Sequence, residues 1–246
     1  MLDQRLATRV ENFVSRLKRE SVCMHGFILD VQGEVKATAY YPPFVEGKAH
    51  RMYSVSKSMT ALAIGLLLDE GKISLDDRIA DYFRDFLPEK PDARLMRLKI
   101  RDMLRMATCY RATVYRETDD DWTKPFFTAE PTHEPGTVFH YDTGCSQVLA
   151  ALVARLTGQQ VMDYLTERVF TPLGANDEKH WLRDPAGTCQ GGTGLCMSLR
   201  DLHKVTRLVM DGGRGILPEW FCREMTKKHI DNCLCTVSYT HLTLPT

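Results

Sequence analysis

Ser54 and Lys57 stand three residues apart in Met52-Tyr53-Ser54-Val55-Ser56-Lys57-Ser58-Met59-Thr60, at the entrance of a long apolar run. On a helix, residues three apart share one face. A lysine amine can then lie beside a serine oxygen, while the free N–H groups of the first turn point at any anion that develops there. That is the arrangement of a nucleophilic serine with a lysine as its proton acceptor. The spacing alone decides little. With 9 serines and 12 lysines in 246 residues, about 0.4 chance matches are expected. Ser15-Arg16-Leu17-Lys18 is such a match, inside an amphipathic helix pattern where Lys18 reads as a solvated charge. For Ser54 the competing reading is an ordinary N-cap serine, its oxygen accepting from first-turn N–H groups.

The elements that must position this pair are legible as patterns. Leu2, Leu6, Val10, Phe13, Val14 and Leu17 alternate with charges in an amphipathic first helix. Two β-type runs, 26–31 and 34–40, flank Gln32-Gly33 and read as a hairpin ended by Pro42-Pro43. The run 54–70 is apolar nearly all round, which predicts a buried helix, with Gly71 as its stop. Further helices are expected over 98–107, 144–157 (closed by Gly158), 161–170 and 198–211. Residues 110–139 read as a long loop, in which Asp119 to Asp121 are a solvated run. Trp122, Phe126 and Phe127 in that loop would line an acyl pocket or belong to the core or a lid. Gly191-Gly192-Thr193-Gly194 is a turn without the Gly-Lys-Ser/Thr ending of a phosphate loop. A hairpin alone is too little sheet to be stable, so further strands are expected from the C-terminal part.

Composition narrows the function. Lys plus Arg and Asp plus Glu both total 32, which gives no basis for nucleic acid or a charged membrane surface as partner. No apolar run reaches membrane-spanning length. The N-terminus is not a signal peptide, so the chain as given reads as cytoplasmic and its eight scattered cysteines as free thiols. There is no C-x-x-C or H-E-x-x-H pattern, and no cofactor or metal is expected. Oligomeric state is not legible.

The segment from Tyr53 to Ile79 resembles the serine β-lactamase and penicillin-binding protein superfamily, in its class C β-lactamase-like and esterase branch. The resemblance extends over most of residues 24 to 212, through 98–106, Phe139-His140-Tyr141-Asp142-Thr143 and 191–198. It implies an α+β fold of the β-lactamase/transpeptidase type, an antiparallel sheet flanked by helices plus a mostly helical lobe. It also implies a serine hydrolase that forms an acyl-enzyme on a small ester, β-lactam or peptide-like amide. Ser54 would be the nucleophile, Lys57 its activating base, and Tyr141, at the family's Tyr-x-Asn position, the proton relay. Thr143 replaces the asparagine. A hydroxyl still hydrogen-bonds but lacks the amide's paired donor and acceptor, which keeps open a sensor or binding protein that acylates without turnover. His140 reads as a packed or surface histidine.

The resemblance stops near residue 230, and no Lys-Thr-Gly, Lys-Ser-Gly or His-x-Gly occurs as the family's third motif. After Asp231, fifteen residues carry no Asp, Glu, Lys or Arg, and Val237 to Thr246 resemble a translated sequencing adapter. The expectation is a truncated β-lactamase-like domain over 1–232, with its C-terminal strands missing and 233–246 a non-native tail. Within it, 1–53 would be the helix and hairpin of the α/β lobe, 54–190 the helical lobe and 191–232 a return segment. Such a chain would expose the hairpin edge and the first helix, and would be poorly stable and inactive.

Overall fold

Helix α2, Val55–Asp69, is the axis of the molecule, and every residue from Ser56 to Leu67 is buried. Its apolar side chains leave no face for water, so it is enclosed by other elements as the composition predicts. Its principal partner is α5, Thr143–Thr157, which is buried from Gly144 through Val153. The chain is described here from a computed structural model, over residues 4–112 and 114–231. The tail 233–246, with Cys233 and Cys235, lies outside the described residues.

The chain enters through α1, Gln4–Arg19, in which no residue is buried. Ser15 and Lys18 both face solvent there, as expected of the second match. The hairpin follows as β1, Gly26–Val31, and β2, Glu34–Tyr40, antiparallel from Gly26↔Tyr40 to Val31↔Glu34. Gln32 and Gly33 both take positive φ (54° and 86°), the backbone of a two-residue turn whose twist matches its strands. Among the described residues β1 pairs with β2 alone.

A second sheet lies where the sequence pattern assigns no strands. Strands β3 (His50–Arg51), β4 (Lys179–Trp181) and β5 (Leu195–Met197) form a three-stranded antiparallel sheet in the order β3-β5-β4. Strands of two or three residues carry too little alternation to be read from sequence. The glycine-rich turn therefore leads into β5 before α7, Leu199–Met210, begins. Helix α7 packs on the hairpin, where Asp30 accepts from His203 at 2.9 Å. Strand β3 runs directly into Ser54.

The helix expected over 98–107 is shorter, α3, Ile100–Leu104, because Met106 turns to φ 53° and the chain leaves the helix. The loop 110–139 contains one helical turn, α4, Pro125–Thr128. Asp121 starts that turn by accepting from Thr123 N–H at 2.7 Å and Lys124 N–H at 3.2 Å. Phe126 and Phe127 are core residues, with Phe127 stacked on Phe83 at 4.8 Å between centroids. The helix expected over 161–170 divides into α6, Val161–Leu165, and a π-helical turn, Thr166–Phe170. The last described helix is α8, Glu219–Met225. The six described cysteines are free thiols. No helix among the described residues is long and apolar enough to cross a membrane.

Gly65 shows how closely α8 seats on α2. A Cβ there would lie 2.3 Å from Cδ1 of the buried Phe221 ring. In an exposed helix Gly→Ala stabilises by about 1 kcal/mol. Here we expect Gly65→Ala to destabilise by about 1–3 kcal/mol through overpacking. Urea unfolding of Gly65→Ala, Phe221→Leu and the double variant checks this, and the double variant should recover part of the loss.

Candidate active site

Ser54 sits at the junction of β3 and α2, and the backbone before it is strained. Tyr53 takes φ 46° with its side chain exposed under the Arg51 guanidinium, 4.8 Å from the ring centroid. A bulky residue in the left-handed region is uncommon, and here it turns the strand sharply into the helix. Ser54 itself is half-buried and makes no side-chain capping bond to the first-turn N–H groups. The ordinary N-cap reading therefore lacks its defining contact. Instead Ser54 Oγ accepts from Lys57 Nζ at 3.2 Å.

Lys57 is only 8% exposed. Its ammonium donates to the Gly192 carbonyl at 2.7 Å and lies 4.9 Å from the centroid of the Tyr141 ring. Burial lowers its pKa to about 8. Burial also pushes the neighbouring Cys145 thiol upward, so that thiol is neutral near pH 7. Asp142 is then the negative charge that favours the ammonium. A lysine poised there passes readily between amine and ammonium.

The carbonyl that holds Lys57 comes from the glycine turn. Thr60 Oγ1 donates to Gly191 O at 2.8 Å, and Leu195 N–H donates to Ser56 Oγ at 3.0 Å. Ser56, Lys57 and Thr60 of α2 thus stitch the turn to the helix. The glycines are required by space. A Cβ on Gly191 would lie 2.2 Å from Ser146 O, and one on Gly192 would lie 2.4 Å from Thr143 Cγ2 and 3.2 Å from Lys57 Nζ. The turn offers carbonyls to a cation, the opposite polarity to a phosphate loop.

Tyr141 and Thr143 arrive with the start of α5. Asp142, wholly buried between them, caps that helix by accepting from Gly144 N–H at 2.7 Å. The fold therefore brings Ser54, Lys57, Tyr141 and Thr143 to one place. The sequence reading missed the Gly192 carbonyl, Asp142 and Gln147, whose Oε1 accepts from Gly191 N–H at 3.1 Å. Gly191-Gly192 was the available signal, since adjacent glycines mark close backbone approach. His140 is half-buried and tilted against His133 at 5.7 Å. No group of three or more His, Cys, Asp or Glu suited to a metal occurs among the described residues. A cavity of about 430 Å³ between the hairpin, the loop before β3 and α7 is lined by other residues.

The family model described as Beta-lactamase matches residues 26–230. The 6-aminohexanoate-dimer hydrolase of Paenarthrobacter ureafaciens is 27% identical over 225 residues, covering 85% of this chain and 57% of that protein. The chain thus spans less than two thirds of this curated relative. Among solved structures, the octameric penicillin-binding protein homologue from Pyrococcus abyssi has a TM-score of 0.72 at 18% identity, over 92% of this chain and 61% of its own. The D-amino acid amidase from Ochrobactrum anthropi has a TM-score of 0.71 at 17% identity, over 92% and 75%. These likenesses show the α+β, β-lactamase/transpeptidase-like fold.

The buried lysine has a signature in stability. Its pKa is lower folded than unfolded, so above about pH 8 the unfolded chain holds the proton more tightly and stability rises with pH. We expect wild type to gain up to about 3 kcal/mol relative to Lys57→Met between about pH 7 and about pH 10. Urea unfolding of both proteins across that range measures it; parallel curves would contradict it.

Proposed function

We propose that this chain, which belongs to the beta-lactamase family, carries the nucleophile of a serine hydrolase that works through an acyl-enzyme. The family is one of hydrolases built on this fold. The observation that carries the finer reading is Lys57 Nζ, 3.2 Å from a Ser54 oxygen that makes no capping bond, with its pKa lowered to about 8. In its amine form Lys57 takes the Ser54 proton as Oγ attacks a carbonyl carbon. The Val55, Ser56 and Lys57 N–H groups at the start of α2 are already given to the Met52, Tyr53 and Ser54 carbonyls, so the oxyanion takes its donors elsewhere. The proton passes to the leaving amine or alcohol, with Tyr141 sharing the transfer. Water, activated by the same groups, then releases the acid and restores Ser54.

A relative named as a 6-aminohexanoate-dimer hydrolase supports a small substrate. We infer a small ester or amide, which Thr143 meets with a hydroxyl. The spans 1–53, 54–190 and 191–232 serve this reading as sheet lobe, helical lobe and return segment.

A fluorophosphonate probe tests the assignment in the whole protein. We expect it to label Ser54, and Ser54→Ala to abolish labelling. Lys57→Ala should slow it at least about 1000-fold, since the pair acts as a unit. Undiminished labelling of Ser54→Ala would remove Ser54 as nucleophile. A stoichiometric burst from a chromogenic ester without later turnover would favour the sensor reading that Thr143 keeps open.

A further inference from the structure

Beside the reacting pair, the buried polar groups between α2 and α5 form one chain of hydrogen bonds. Gln147 of α5, one turn beyond Thr143, is 1% exposed. Gly191 N–H donates to its Oε1 at 3.1 Å, and its Nε2 donates to Asp184 Oδ2 at 3.1 Å. A backbone N–H can only donate, so the amide oxygen must face Gly191 and the amide nitrogen must face Asp184. Asp184 accepts as a carboxylate, taking Thr188 N–H on Oδ1 at 2.8 Å and Trp122 N–H on Oδ2 at 3.3 Å. Burial raises its pKa, and the backbone donors from Thr188 and Trp122 oppose that rise. One peptide beyond Gly191 lies the Gly192 carbonyl that holds Lys57.

Gln147 is not needed as filler. A leucine or methionine would occupy the space without the cost of desolvating an amide. Its two bonds do what an apolar side chain cannot: they tie the Gln190–Gly191 peptide, through the Gly191 N–H, to Asp184. Thr60 holds Gly191 from the α2 side, through the carbonyl. Gln147 holds it from the α5 side, through the N–H. The Gly191 peptide groups are thus clamped between α2, which supplies Lys57, and α5, which begins at Thr143.

We propose that Gln147, anchored by Asp184, is a positioning residue for Lys57. It holds the Gly191–Gly192 turn so that the Gly192 carbonyl keeps the ammonium beside Ser54. This rests on the reading of Ser54 and Lys57 as the reacting pair. Loss of Gln147 frees the turn to move away, and a misplacement of about 1 Å at a reacting group costs on the order of 100-fold in rate.

The test follows Lys57 directly, by NMR titration of isotope-labelled lysine side chains, with Lys57→Arg identifying the resonance. Fluorophosphonate labelling rates are measured on the same proteins. In Gln147→Met the Lys57 midpoint should fall, because a carbonyl that binds the ammonium more tightly than the amine has been withdrawn. Labelling should slow on the order of 10- to 100-fold. Asp184→Asn should move both readouts the same way by less, and it decides the matter if Gln147→Met does not fold. A lowered melting temperature with the Lys57 midpoint and labelling rate unchanged would overturn the proposal, since Gln147 would then only pack. The NMR arm does not depend on Ser54 reacting. Labelling of Ser54→Ala would therefore defeat the nucleophile reading while leaving the role of Gln147 to the titration.

Discussion

A lysine ammonium held in a nearly dry interior is the constraint from which the rest of the site follows. Taking such a charge out of water is costly unless it is hydrogen-bonded. Lys57 meets that requirement with one serine oxygen and one carbonyl. The carbonyl has to come within 2.7 Å of a side chain rooted in a buried helix. Only backbone without side chains can approach that closely, which accounts for the adjacent glycines at 191 and 192. The same desolvation brings the amine toward neutral pH, so the cost of burial and the capacity to exchange a proton have one cause.

The surroundings of Lys57 are accordingly held by hydrogen bonds from two helices. Three polar residues of α2 and one of α5 bind the turn from both sides. Each is buried, and each would be a liability without its partner. Asp142 adds a second function to its capping role, because its charge lies close enough to favour the ammonium. The polar residues Ser56, Lys57, Thr60 and Gln147 of these helices bond to the turn and strand packed between them.

Burial is unevenly distributed around this centre. The α2–α5 pair and the aromatic cluster of Phe83, Phe126 and Phe127 are closed to solvent. Helix α1 has no buried residue, and the hairpin is held mainly by α7. One of its tethers is the Asp30–His203 contact at 2.9 Å. Local stability should follow this gradient, with exchange of backbone amides fastest at the N-terminal elements and slowest in α2.

The sequence by itself pointed to the α+β fold class, the hairpin and the buried helix, and proposed Ser54, Lys57, Tyr141 and Thr143 as a candidate site. The hairpin and the buried helix are local facts, carried by turn chemistry at Gln32-Gly33 and by apolar periodicity, whereas the fold class and the places of Tyr141 and Thr143 are what the family resemblance implies. Strands β3, β4 and β5 were not legible, because two or three residues show no period and their pairing joins segments far apart in the chain. The capping contact of Ser54 was open for the same reason. Whether its oxygen turns to its own helix or to Lys57 depends on what surrounds the lysine. That was decided by tertiary structure alone: the Gly192 carbonyl, 135 residues from Lys57, reaches it only when α2 and α5 pack around the glycine turn. Burial, and with it the lowered pKa of Lys57, belongs to the assembled interior and to no segment of the chain.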